Sequence, residues 1–218
     1  MVGEKKAIIL QPITIDTVSL RIVGTSPIIQ HKWSEKAKKM LRDKHAGVKT
    51  KTRDKRDPKA EYEACLYVGQ ETNQFGIPCS ALKNCIINAA HKDIGVEKTL
   101  IRKSVFIEGQ DIDKDEKVDM VLFDTADKPE MREDIVRVGT GTADLRYRPE
   151  FKKWSVLFNV QMNTDAIQLD TFVNLVNLAG FGVGLHEMRP QKSGDYGRFK
   201  IDENHLVTAN KQSLKETN

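Results

Sequence analysis

Residues 154–162 limit the possible folds of this chain more than any other segment, because every second side chain in them is apolar. A period of two is that of a β-strand with one buried face. The predicted buried face carries Trp154, Val156, Phe158, Val160 and Met162. In residues 165–180 the apolar side chains return at helical spacing, which predicts a helix that ends near Gly180. A strand followed at once by a helix is therefore expected.

The N-terminal part of the chain also predicts a strand followed by a helix. Residues 13–24 predict a strand whose apolar period slips near Thr17, which indicates a bulge or a bend. Residues 75–95 predict a helix with Ser80 as its N-cap. Two more strands are expected between residues 104 and 124, and a last one in residues 196–201. This order predicts an α+β fold with a ferredoxin-like (RRM-like) core and a large insertion.

The remaining segments complete this organisation. One domain is expected over residues 1–210, with a basic loop (46–59) and an extended arm or hairpin (131–153) as insertions. Residues 211–218 are expected to be a disordered tail. No apolar run approaches the ~18 residues of a membrane span. The three cysteines are an odd number, which is typical of free thiols in a reducing compartment, so we expect a cytoplasmic protein.

The formal charge is only +4, but the cations are concentrated. Residues 32–59 hold 12 Lys or Arg and 4 Asp or Glu, a local charge of +8. Such a cluster is typical of proteins that bind a polyanion, and its alternative interpretation is a solvated surface loop.

A glycine-rich segment lies between the second helix and the last strand. Its five glycines, from Gly180 to Gly197, are interleaved with Arg189, Lys192 and Arg198. A dinucleotide-binding loop would follow a strand and open a helix, and a Walker A loop would contain GK[ST]; neither pattern is present. The segment is therefore either a structural turn or a loop that a ligand backbone approaches, and glycine amides beside cations favour phosphate oxygens.

Two segments resemble the RAMP superfamily of CRISPR proteins. FGIPCSALKNCIINAA (75–90) is similar to that family's IPGSSLKGALR segment, and GFGVG…GDYGRF (180–199) is similar to its C-terminal glycine-rich loop. GTSPIIQHKW (24–33) and VRVGTGTADLRYRPEF (136–151) resemble segments of RAMP-like proteins encoded by phages, which implies the cytoplasm of a bacterium or a phage-infected cell. The resemblance implies a ferredoxin-like fold and binding along the backbone of a guide RNA, in several copies. Cys79 and Asn84 stand where the family prefers glycine.

The candidate nucleic-acid-binding residues come from four segments. Arginines and a tyrosine in the arm suit a single strand, with guanidinium groups on phosphates and the ring on a base. Lys83 lies in the first turn of its helix, where the positive end of the helix dipole disfavours a cation. The RAMP resemblance implies that a bound phosphate relieves this conflict, and the alternative is a side chain that points to water. Acidic neighbours, among them Asp134 and Glu150, offer an alternative in which the arm pairs with another subunit. The full set is His31, Lys32, Ser80, Lys83, Arg132, Arg137, Arg146, Tyr147, Arg148, Gly182, Gly184, Arg189, Lys192, Tyr196 and Arg198.

Together these features predict a non-catalytic protein that binds single-stranded RNA or DNA through its backbone and assembles as a homo-oligomer along the strand. One alternative is a metal-independent endoribonuclease that uses His31 or His186. Another is a protein-interaction module without nucleic acid. No cofactor or metal is expected, because Cys85 and His91 do not share a helix face and tight cysteine pairs are missing from the sequence. No membrane partner is expected.

Overall fold

The computed structural model describes residues 13–33, 35–48, 55–91, 94–138, 141–205 and 207–212. The helices are α1 (Glu35–His45), α2 (Pro58–Ala64), α3 (Cys79–Ala89), α4 (Lys98–Ser104) and α5 (Leu169–Gly182). The strands are β1 (Ile15–Gly24), β2 (Ile28–Ile29), β3 (Gly76–Pro78), β4 (Val105–Ile107), β5 (Asp111–Ile112), β6 (Asp119–Ala126), β7 (Glu130–Val138), β8 (Thr142–Phe151), β9 (Trp154–Asn163), β10 (Phe199–Ile201) and β11 (Val207–Gln212).

The main sheet has the order β10-β1-β9-β6-β3, and neighbouring strands in it are antiparallel. Two interleaved β-α-β units build it: α3 lies between β1 and β6 in the chain, and α5 lies between β9 and β10. The second unit places β10 against the outer edge of β1. This is the ferredoxin-like arrangement, so the predicted α+β class and core are confirmed.

One face of this sheet is buried against helices and the other is open. Leu20 and Ile22 of β1 belong to one hydrophobic core with Phe158 and Val160 of β9 and with residues of α3 and α5. Of the alternate positions of β9, Leu157, Asn159 and Gln161 are exposed, and Ser155 near the start of the strand is buried. The predicted alternation of residues 154–162 is therefore confirmed, and Trp154 is 2% exposed, as expected for a core residue.

A second sheet, β2-β8-β7, contains the predicted arm as a hairpin. Arg132 lies opposite Arg148 and Asp134 opposite Arg146. Helix α2 packs against β8, and the Tyr62 hydroxyl donates a hydrogen bond to the carbonyl oxygen of Pro129. The hairpin is thereby attached along one side to the main body.

Several predicted boundaries differ from the structure. Helix α3 begins at Cys79 with Pro78 as its cap residue, and no described side chain caps it, so Ser80 is not the N-cap. Helix α5 continues two residues past Gly180. The period slip near Thr17 appears as a register shift against β11, while pairing with β9 is regular. Strand β11 includes the first two residues of the expected tail, and residues 213–218 lie outside the described part.

The basic loop is only partly described. Helix α2 begins within it, at Pro58, because the Asp57 carboxylate accepts hydrogen bonds from the backbone N–H groups of Lys59 and Ala60. Residues 49–54 lie outside the described residues. Among the helices that the structure describes, none combines the length and apolar character needed to cross a bilayer.

Candidate nucleic-acid interface

A groove of about 280 Å³ lies between α3 and the segment that follows α5. We call residues 183–198 the glycine loop. The groove is lined by Ala81, Asn84, Cys85 and Asn88 of α3 and by residues 183–187, 189 and 191 of the glycine loop. It therefore joins two segments that the sequence singled out separately. Arg189 and Glu187 are the charged residues of the lining, and Asn84, Asn88 and Gln191 supply amide groups. The Arg189 guanidinium donates to the carbonyl oxygen of His186 at 2.7 Å and to Oε1 of Gln191 at 3.3 Å.

Backbone hydrogen bonds, both within the glycine loop and to neighbouring segments, fix its conformation. The N–H groups of Gly184, Leu185 and Gly197 donate to the carbonyl oxygens of Ala179, Gly197 and Pro27, respectively. Further along, the N–H group of Gly194 donates to Arg189. The N–H groups of Gly184, Gly194 and Gly197 thus donate to carbonyl oxygens of the protein itself and do not form a cradle of free amides. Contact of a strand with Gly184 stays a prediction.

Close backbone packing explains most of these glycines. A Cβ atom at Gly180 would lie 2.1 Å from the carbonyl oxygen of Phe199. At Gly194 and Gly197 the corresponding distances to backbone oxygens are 1.9 Å and 2.0 Å. Real Cβ atoms do not approach that closely, so these positions need glycine for packing alone. A Cβ at Gly182 would meet no described atom within 4 Å, which leaves Gly182 as a position that a ligand can approach.

The glycine loop also holds non-glycine residues in left-handed conformations: φ is 58° at His186, 51° at Met188 and 62° at Ser193. His186 is packed against Tyr67, with ring centres 5.6 Å apart. Its Nε2 atom is inaccessible to solvent and has no hydrogen-bond partner among the described residues. Burial lowers the pKa of His186 to about 4, so the ring is neutral at neutral pH.

His31 contacts the glycine loop from the end of β2. Its Nδ1 atom lies 3.2 Å from Oε1 of Glu187, and its side chain is 28% exposed. The hydrogen bond with His31 lowers the pKa of Glu187 and outweighs the opposing effect of burial; the charge of Arg148, 3.8 Å away, lowers it further. Glu187 thus joins the glycine loop to His31 and to the hairpin.

Lys32 and Arg148 are interior residues. Lys32 is 3% exposed, and its ammonium group lies 3.1 Å from Asp113 and 2.6 Å from Asp115. Arg148 is 5% exposed and lies 3.7 Å from Asp134. A phosphate cannot reach either cation without breaking these pairs and opening the core. We therefore leave both residues out of the interface proposed below.

Arg132 and Tyr196 contact each other and connect the hairpin to the glycine loop. The Arg132 guanidinium donates to the Tyr196 hydroxyl at 2.9 Å and lies 4.7 Å from the ring centre. Arg132 also pairs with Asp134 at 2.7 Å and with Glu150 at 3.4 Å. Both predicted residues lie at one junction, where their main interactions are within the protein.

The outer part of the hairpin carries the remaining predicted residues of the arm. Arg137 is exposed, and Arg146 is half-exposed and pairs with Asp144 at 2.9 Å. Tyr147 projects from the opposite strand face, where the guanidinium of Arg56 lies 5.8 Å from its ring centre. Asp134, Asp144 and Glu150, which in the alternative interpretation pair with arginines of another subunit, each pair with an arginine of the same hairpin within this chain.

Lys83 points away from the groove. Its ammonium group donates to the carbonyl oxygen of Arg102 at 3.2 Å and lies 4.1 Å from the ring centre of Phe106. Burial lowers its pKa. The conflict expected between Lys83 and the positive end of α3 is relieved by a carbonyl near the end of α4, where a cation is favourable. Ser80, in the first turn of α3, is exposed.

Sequence reasoning missed the two groove-lining asparagines and one exposed aromatic residue. Asn84 and Asn88 are four residues apart on α3, opposite its apolar stripe. That spacing places both amides on one exposed helix face, and it is the sequence pattern that could have predicted them as a pair. Phe181 is 69% exposed, and Arg198 lies over it with the guanidinium carbon 5.0 Å from the ring centre. Within the described residues, no group of three or more His, Cys, Asp or Glu is placed to hold a metal ion.

Comparisons with known proteins give only distant similarity. No protein-family profile matches the chain, and no curated protein matches it. A chain in the cryo-EM structure of the Type III-B Cmr-beta bound to cognate target RNA is similar with a TM-score of 0.49 and 10% identity, over 87% of this chain and 60% of that one. The crystal structure of Cmr6 from Pyrococcus furiosus is similar with a TM-score of 0.42 and 12% identity, over 89% of this chain and 100% of that one. The present chain thus spans about 60% of the first of these chains. At such values the similarity carries no functional argument, and the fold assignment rests on the strand order.

Proposed function

We propose that the protein binds single-stranded nucleic acid, RNA or DNA, along the groove between α3 and the glycine loop. We propose further that it does not catalyse a reaction on the bound strand. The observation that carries this proposal is the groove itself, which runs along α3 and combines one arginine and one carboxylate, that of Glu187, with three amide side chains. Arginine and amide groups supply the donors that phosphate and sugar oxygens accept. A groove of this composition suits a polar ligand better than an apolar one, and the cations that favour an anionic strand lie outside it.

Cations outside the groove lengthen this surface. Lys192 and Arg198 lie on the glycine loop beyond the groove lining, and Arg137 and Arg146 lie on the outer hairpin. If about six phosphates are neutralised, the logarithm of the affinity falls with the logarithm of the salt concentration with a slope of about −4. Contacts of this kind are to the backbone, so the binding depends weakly on sequence.

Assembly of several copies along one strand is the second part of the proposal. The hairpin exposes apolar side chains on β7, where Met131 is 53% and Ile135 is 77% exposed. Apolar side chains on an outlying hairpin suit contact with a neighbouring protein surface. The molar mass measured by light scattering, with strands of increasing length, tests this part: the mass should rise in steps of one protein chain, and a constant one-to-one complex contradicts it.

A second candidate function, metal-independent RNA cleavage, is favoured by one observation. Glu187 contacts Nδ1 of His31, which is the arrangement that orients an imidazole as a general base. His186 is unsuited to this role because its Nε2 atom is inaccessible. Incubation of labelled RNA with the wild type and with His31→Ala separates the two functions. Cleavage that disappears in the variant contradicts the binding-only proposal.

The primary test begins with the purified protein. Its absorbance ratio at 260 and 280 nm, followed by digestion with RNase or DNase, shows whether nucleic acid co-purifies and of which type.

Lys192→Ala then probes the proposed surface, and Lys128→Ala is the matched control, because Lys128 is an exposed cation on the connection between β6 and β7. We expect only Lys192→Ala to weaken strand binding. Equal affinities of both variants and the wild type contradict the proposed surface, and a protein that shifts no oligonucleotide at low salt is instead an interaction module.

A further inference from the structure

Phe181 and Arg198 form an exposed stack outside the lining of the groove. Phe181 lies in the last turn of α5 and is 69% exposed, and the guanidinium carbon of Arg198 lies 5.0 Å from its ring centre. Both residues line a second cavity, of about 330 Å³, together with Thr25, Asn177, Lys200 and Glu203. A large aromatic ring that folding leaves in water has no role in the core.

The backbone around this stack is fixed. Gly180 allows α5 to approach β10 closely, since a Cβ there would meet the carbonyl oxygen of Phe199. The N–H group of Arg198 donates to the Ser26 hydroxyl at 3.0 Å, and its carbonyl oxygen accepts from Thr25 at 2.8 Å. The two side chains are therefore brought together by their backbones, and the site exists before any ligand arrives.

We propose that this stack is a platform for one unpaired nucleobase of the bound strand. The inference rests on the proposed function, because it assigns a base contact to the strand that the groove holds by its backbone. A nucleobase stacks on an aromatic ring or on a guanidinium plane, and every base offers such a face, so the contact is tolerant of sequence. Lys200 is exposed and lines the same cavity, where it can meet the phosphate of the stacked nucleotide.

The chemistry of the lining favours a nucleotide over a protein segment. Two cations, Arg198 and Lys200, face one carboxylate, Glu203, so the cavity is cationic. Gly182 follows Phe181 at the end of α5 and has open space beside it, so the backbone next to the platform leaves room for a strand. A protein docking site would instead be expected to use the other exposed apolar residue of α5, Leu178, which does not line the cavity.

Phe181→Ala, with Leu178→Ala as the matched control, tests the platform. Leu178 lies on the same helix and is 47% exposed. We expect Phe181→Ala to weaken binding of a normal oligonucleotide about 5- to 150-fold with an unchanged salt slope, and Phe181→Trp to retain affinity. An abasic strand of the same length should bind wild type and Phe181→Ala equally. In strands that carry 5-iodouracil, ultraviolet cross-linking should label the peptide that contains Phe181.

The possible failures are distinguishable. In one outcome the wild type binds both strands and Phe181→Ala binds the normal strand as tightly as the wild type does. That result overturns the platform and leaves the proposed groove binding intact. An equal loss for normal and abasic strands also overturns it, because the change then acts without the base. A wild type that binds neither strand overturns the proposed function and the platform together. Loss of binding in Leu178→Ala but not in Phe181→Ala moves the contact to another surface of α5 and overturns the platform.

Discussion

Alanine at Gly180 and at Gly182 should shift the stability of this protein in opposite directions, although both substitutions add one methyl group near the end of α5. At Gly180 the new Cβ would lie 2.1 Å from the carbonyl oxygen of Phe199, and ordinary contact begins at 3.4 Å, so α5 and β10 must separate by about 1.3 Å. At Gly182 it would meet no described atom within 4 Å.

The magnitudes follow from two opposing effects. Overpacking costs about 1–3 kcal/mol, and a rigid backbone oxygen places Gly180→Ala at the upper end. Alanine gains up to about 1 kcal/mol over glycine as a helix former. We therefore expect Gly180→Ala to lose about 2 kcal/mol, which lowers the melting temperature by about 4–8 °C for a chain of this size. Gly182→Ala should melt at the wild-type temperature or up to about 3 °C higher.

Thermal unfolding followed by circular dichroism measures both variants. Equal melting temperatures for the two, or a Gly180→Ala variant as stable as the wild type, would refute the packing account of this glycine-rich segment. Oligonucleotide binding by the stable Gly182→Ala variant then reports on backbone approach at Gly182, free of any folding defect.

Three further predictions concern buried groups. Lys32→Met should cost about 3 kcal/mol in urea unfolding, because it leaves the fully buried Asp113 without its cation; a loss below about 1 kcal/mol contradicts that pairing. Burial lowers the pKa of His186 to about 4, so the wild type should lose stability as the pH falls from about 6.5 towards 4, by up to about 3 kcal/mol. His186→Asn, which tolerates the left-handed backbone, should remove this loss between pH 6.5 and 5, and an unchanged profile contradicts it. Burial raises the pKa of the Cys85 thiol to about 12, so Cys85 should react with iodoacetamide at pH 8 only after unfolding, and rapid labelling of the native protein contradicts this.

The core could be predicted from the sequence because its signals are local. The period-two pattern of β9 and the helical stripe of α5 each lie within one segment, and their order along the chain fixes the ferredoxin-like arrangement. The second sheet was predicted only as an arm or hairpin, because β7 and β8 carry charges on both faces and show no clear apolar period. The pairing of β8 with β2 joins residues that are far apart in the chain, Ile28 with Phe151, so no local sequence pattern predicts it.

The site residues were harder to predict, because burial of a charge is a tertiary property. Lys32 looks like one more cation of a basic segment, and its partner Asp113 lies 81 positions away. The glycine-rich segment shows the same limit in another form. A glycine that packing requires and one that it does not require look identical in sequence. Only the surroundings of a Cβ atom at each position separate Gly197, where it would clash, from Gly182, where it would not.

The most direct test of the central claim is the affinity for a short unstructured strand measured across a series of salt concentrations. The proposed binding predicts a linear decrease with a slope of about −4 on logarithmic axes. Arg189→Lys, which keeps the charge, should retain this slope, and Arg189→Gln should make it shallower by about 0.7. An affinity that does not change with salt, or a slope that is the same in Arg189→Gln, would contradict strand binding at this groove.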